Sequence, residues 1–88
     1  MNSNIHEDKP VIEYPCRWLY KIIGSEAREI EVAVQQIMGE TEHTLDLSHT
    51  SRTGKYVSFN LEVTVASEEA RNFYFAALRH HASITMVL

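Results

Sequence analysis

Between Arg17 and Ile23 the chain alternates, with Trp18, Tyr20 and Ile22 on one side and Leu19, Lys21 and Ile23 on the other. That two-residue period predicts a strand whose wetter side carries Lys21. Gly24 breaks it. Ser25 is placed to accept a hydrogen bond from the free amides of a starting helix, with Glu26 and Glu29 set against its positive end. From there Ile30, Val34, Ile37 and Met38 recur at helical spacing, with Glu31, Gln35 and Gln36 outside the stripe, and Gly39 closes this first helix. A short second strand is predicted over His43 to Ser48, Leu45 and Leu47 inward and Thr44, Asp46 and Ser48 outward. After the turn-forming run His49 to Gly54 comes the clearest alternation, Lys55 to Ala66. Val57, Phe59, Leu61, Val63 and Val65 line one face; Tyr56, Ser58, Asn60, Glu62 and Thr64 line the other, the pattern of a central antiparallel strand with one dry side. Ser67 is a second N-cap, and a helix runs from it to about His80. Its apolar run Phe73 to Leu78 permits two buried stripes, Ala70, Phe73, Tyr74 and Ala77 or Tyr74, Phe75, Leu78 and Ala82, either of which leaves one large aromatic near the surface. Ile84 to Leu88 ends the chain as a strand, Ile84, Met86 and Leu88 on one side, Thr85 and Val87 on the other.

This order predicts an α+β fold, the ferredoxin-like βαββαβ sandwich, because right-handed crossovers put both helices on one face of a four-stranded antiparallel sheet. Residues 14–88 form the single domain, and residues 1–13, polar and bounded by Pro10 and Pro15, read as a flexible arm. The other sheet face is expected to be open, carrying Leu19, Lys21, Ile23, Thr44, Asp46, Ser58, Asn60, Glu62 and Val87. Leu19, Ile23 and Val87 sit where neighbouring strands gather them into a contact patch.

Composition narrows the function classes. An 88-residue chain with 44% apolar residues builds one core, and a domain so short gains from self-association, so a homodimer is expected. No apolar run reaches the ~18 residues that span a bilayer, and MNSNIHEDKP lacks the basic start and apolar stretch of a signal peptide, so no membrane partner and a cytoplasmic location are expected. Cys16 is the only cysteine, which excludes an internal disulfide and has no reactive motif around it. A formal charge of −4 argues against nucleic acid as a partner.

Three stretches resemble one family. Tyr14-Pro15-Cys16 followed by Tyr20-Lys21-Ile22-Ile23-Gly24, then Thr50 to Phe59 (TSRTGKYVSF), then Met86-Val87-Leu88 are similar, in this order and spacing, to the YbeD family of small uncharacterised bacterial proteins. The resemblance covers nearly everything after the arm and implies a ferredoxin-like domain similar to ACT-type regulatory domains, with no established activity. It also implies apolar character at Tyr74, Phe75 and Leu78 and leaves Phe73 exposed. Some relatives are encoded near a lipoyl-attachment enzyme, while the amino-acid pocket motif of ACT domains is missing here.

The densest polar cluster is Ser48 to Lys55, where Arg52 and Lys55 stand among four hydroxyls, suited to an anion through Ser51, Arg52 and Lys55. It is not a phosphate-binding P-loop, since the upstream glycine is missing and a strand follows where a helix is required. Gly24 and Ser25, at a helix start, are a second anion candidate. The five histidines assemble no ligand set: His6 is in the arm, His43 and His49 lie on different segments, and His80 and His81 diverge by about 100° on a helix. Neither a metal nor a cofactor is expected. Nor is catalysis, because Glu62 has no acid or histidine placed beside it, and IIGSEAR is unlike the phosphate loop of acylphosphatase, which shares this topology. Base stacking needs aromatics on the central strands, and β-face positions Tyr56, Ser58, Asn60 and Glu62 offer only one. The expected function is therefore a small regulatory or ligand-sensing module that acts by binding. A protein-interaction adaptor using Leu19, Ile23, Val87 or Phe73 is the second reading.

Overall fold

The computed structural model describes residues 11–88, so the expected arm falls outside the described residues as far as residue 10. Six elements follow: β1 (Cys16–Gly24), α1 (Ala27–Met38), β2 (His43–Thr50), β3 (Val57–Val65), α2 (Glu68–His80) and β4 (Met86–Val87). The sheet order is β2-β3-β1-β4 with every neighbouring pair antiparallel, which is the ferredoxin-like arrangement. β1 and β3 pair without a break from Cys16 opposite Val65 to Gly24 opposite Val57. Each therefore has a neighbour on both edges, and the alternation of their side chains decides which face is dry.

On the helical face Tyr20 and Ile22 of β1 and Val57, Phe59, Leu61, Val63 and Val65 of β3 are buried, as the period-2 pattern predicts. From α1 they meet Ile30, Ala33, Val34 and Met38, with Ile37 packed at the margin. The start of α1 departs from expectation. Its N-cap is Glu26, extended at φ −133°, and among the described residues no side chain caps it, so Ser25 does not do that work. At the other end Gly39 adopts φ 58° and its N–H reaches the Gln35 carbonyl.

Helix α2 uses neither of the two predicted stripes whole. It turns Ala70, Tyr74, Ala77 and Leu78 toward the sheet, with Leu78 fully buried. Phe75 is only partly covered at one edge, while Phe73 is 66% exposed, the position the family resemblance left outside. Ser67 caps this helix as expected, its Oγ accepting from the Ala70 N–H at 3.1 Å.

Two strand-level expectations need correction. Leu47 of β2 has the predicted inward parity but is 57% exposed, because β2 is an edge strand that the helices leave uncovered there; its pairing with β3 slips by one residue between Leu47 and His49. The last strand has the opposite parity to the one expected. Val87 pairs with Ile22 and is 8% exposed on the helical face, so it does not belong to the open-face patch; Met86, opposite Ile23, takes its place. The cause is a turn: the Ile84 N–H bonds the His81 carbonyl, so Ile84 is buried by that turn before the strand begins and does not set its alternation.

Candidate functional site

The residues proposed for anion contact gather at one end of the sheet. Thr50 and Gly24 both sit opposite Val57, so the Ser51–Lys55 loop and the Gly24–Ser25 turn share that end. Ser51 is spent on the hairpin: its N–H donates to the Tyr56 carbonyl at 2.8 Å, its Oγ accepts from the Tyr56 N–H at 3.0 Å, and its carbonyl accepts from Gly54. Arg52 and Lys55 project from this closed turn and are exposed. Gly24 serves packing. A Cβ there would meet the Ile30 side chain at 2.8 Å and the Ser83 carbonyl oxygen at 2.9 Å.

On the open face Leu19 is exposed and Ile23 half-buried, and their cross-strand neighbours are Glu62 and Ser58. Glu62 does have a partner, the Arg17 guanidinium at 3.0 Å, which holds it as an exposed ion pair. Asn60, between Asp46 and Lys21 in the register, keeps a buried side-chain oxygen with no hydrogen-bond partner among the described residues. His81 is used structurally: the Ser83 N–H donates to its Nδ1 at 3.1 Å, so Nε2 carries the proton and donates to Gln36 Oε1 at 2.9 Å. Among the described residues no cluster of three or more metal-ligating side chains is present.

A concave feature lies at the opposite end of β1. A cleft of about 450 Å³ is lined by Trp18 and Tyr20 from β1, Arg71, Asn72 and Phe75 from α2, and Leu88 beyond β4. Sequence reasoning nominated none of the six. Trp18 faces the helices because it shares the parity of Tyr20 and Ile22, but it stays only half-buried at the margin of the core. Arg71 covers it: its guanidinium carbon stands 4.5 Å from the Trp18 ring centroid, a cation–π stack. One terminal nitrogen donates to the Tyr14 hydroxyl at 2.9 Å, and the other is 3.9 Å from Glu68, too far for a hydrogen bond. The Arg71 side chain is 20% exposed.

Tyr20 ties the floor to the helix, its hydroxyl donating to the Arg71 backbone carbonyl at 2.6 Å. Burial pushes its phenol up to about 12 against the opposing pull of the Arg71 charge, so it stays a neutral donor. The cleft thus presents one cation with N–H donors to spare, beside the Trp18 and Phe75 rings, with Leu88 at its end. The signal for it was a cation on the buried side of a helix, Arg71 at i, i+3 and i+7 with Tyr74 and Leu78, in a chain whose single tryptophan faces the same way.

Comparison with known proteins gives a consistent picture. A family model described as "Protein of unknown function (DUF493)" matches residues 9–88. A UPF0250 protein from Hahella chejuensis is 31% identical over 90 residues, spanning 98% of this chain and 99% of the relative. An uncharacterised protein from Campylobacter jejuni is 32% identical over 89% of this chain and 90% of its own length. The solution structure of HP0495 from Helicobacter pylori superposes with a TM-score of 0.80 at 27% identity, covering all of this chain and 94% of that one.

Proposed function

This chain belongs to the DUF493 family, the YbeD-like group of small bacterial proteins of unknown function, and from its own cleft we propose that it is a regulatory or ligand-sensing module acting by binding and not by catalysis. The observation that carries the reading is Arg71 laid over Trp18 at the cleft wall. A half-buried guanidinium with unused donors, whose ion-pair partner Glu68 is exposed and 3.9 Å away, favours an anionic group, and the Trp18 and Phe75 rings favour an apolar portion attached to it. Among the described residues no base, nucleophile or carboxylate pair lines the cleft, and this lining favours recognition over turnover.

The same reading takes the protein to be a cytoplasmic homodimer. A domain of this size gains by burying an exposed edge such as Leu47, and a lone thiol at Cys16 suits a reducing compartment. The net charge of −4 disfavours nucleic acid.

Trp18, the only tryptophan, reports directly on the cleft. Hexanoate is expected to change Trp18 emission in a saturable way, hexanol to bind at least fivefold more weakly, and Arg71→Met to remove the difference. A Trp18 signal indifferent to every such compound overturns the cleft as a ligand site. The adaptor reading has its own support in Phe73, exposed on α2 and braced edge-on by Tyr74 with centroids 5.8 Å apart. It predicts that Phe73→Ser abolishes capture of a partner protein while hexanoate binding persists.

A further inference from the structure

β1 is nine residues long, but β4 covers only part of its outer edge. Val87 and Met86 pair with Ile22 and Ile23; Leu88 exchanges both backbone hydrogen bonds with Lys21, at 3.0 and 2.8 Å; and the Thr85 N–H donates to the Ile23 carbonyl at 2.8 Å. The backbone groups of Lys21 and Ile23 therefore point toward β4, and strand alternation points those of Leu19 and Arg17 the same way. Among the described residues neither Leu19 nor Arg17 has a backbone partner on that side. The cleft lies along this vacant stretch, with Trp18 and Tyr20 as floor, α2 from Arg71 to Phe75 as roof and Leu88 at its end.

We propose that an extended segment of a partner protein completes the sheet here, lying antiparallel to β1 in the line of β4. The inference rests on the cleft being the binding site and names what fills it. Val87 faces the helices, so along the same line every second residue of an incoming strand also faces them, about 7 Å apart. The first such side chain meets Tyr20 and Phe75 and should be apolar. The next meets Trp18 and Arg71 and should be acidic. The residue between them exchanges backbone bonds with Leu19. Main-chain pairing supplies affinity and the two inward pockets supply selectivity, as in other cases where a peptide adds a strand to an open edge.

The test is a titration of the full, isotope-labelled chain with Val-Thr-Glu-amide, which starts opposite Tyr20 and so does not overlap Leu88 opposite Lys21, followed by backbone NMR and amide exchange. Expected are a downfield shift and at least tenfold slower exchange of the Leu19 amide, with a shift of the Trp18 indole N–H. Replacing the peptide's Glu by Gln should weaken binding at least fivefold in the native protein and not in Arg71→Met, and N-methylation of its central Thr should abolish binding. Three results overturn the inference. One is hexanoate binding while the peptide moves nothing, which keeps the cleft as a site but removes the strand. Another is an N-methylated peptide that binds as well as the parent. The third is a Leu19 amide already protected at micromolar concentration without peptide, which means that the chain itself or a second copy occupies the edge.

Discussion

Arg71 joins three parts of the molecule: its guanidinium covers Trp18 of β1, its terminal nitrogen holds Tyr14 ahead of β1, and its backbone carbonyl receives the Tyr20 hydroxyl. A stacked cation is worth about 0.5–1 kcal/mol when partly exposed and a hydrogen bond about 1 kcal/mol, so Arg71→Met should destabilise the fold by about 1–2 kcal/mol in urea titrations. The chain should stay folded and usable for binding assays. Tyr20 gives a pH signature. Its folded-state phenol lies at about 12, above the ordinary 10, so the neutral form is favoured by folding. That contribution is complete below about pH 10 and disappears as pH rises from about 10 to about 12. Tyr20→Phe should lose about 1 kcal/mol at neutral pH and flatten the alkaline part of the stability curve, measured by urea unfolding at successive pH values.

At the scale of elements, β3 is the spine. Phe59→Ala should cost about 3–5 kcal/mol, since its ring is buried in the centre of the dry face, and circular dichroism should show an unfolded or nearly unfolded domain. Ser67→Ala should cost about 1 kcal/mol by loss of the α2 cap. How much of this was legible depended on how sharply each segment distinguishes its faces. β3 alternates apolar with polar through its whole length, and one register satisfies it. α2 contains six consecutive apolar residues, so its period is silent, and the sheet it lands on selects Tyr74 and Leu78. The parity of β4 is not legible because Met86, Val87 and Leu88 are all apolar, and the turn from His81 to Ile84 buries Ile84 before the alternation starts. The cleft is only half legible, for another reason: Arg71 and Trp18 mark its chemistry, but not its shape. It is made by what β4 fails to cover, and only the sheet register shows where that coverage stops.

At the scale of the molecule, the sheet has two unlike edges. β2 offers a full strand, broken by a bulge at Ser48 and carrying the exposed Leu47; β1 offers a short stretch beneath α2. Bulges blunt edge-to-edge association, so a homodimer through β2 should be modest in strength. Sedimentation should show a concentration-dependent shift from a 10.1 kDa species toward twice that mass, and Leu47→Lys should hold the protein at the smaller size. A 10.1 kDa particle at all concentrations rules out the dimer.

The crowding at Gly24 reaches further than its own turn. The end of β1, the side chain of Ile30 and the carbonyl of Ser83 converge on a space the size of one hydrogen atom, and β4 begins three residues after Ser83. A methyl group at that spot acts as a wedge under the hinge of the terminal strand. With only a handful of bonds to hold it, the strand swings, and Leu88, paired with Lys21, carries the displacement into the cleft. Gly24→Ala should therefore alter the emission of Trp18, six residues and about 20 Å away along the same strand, without touching it.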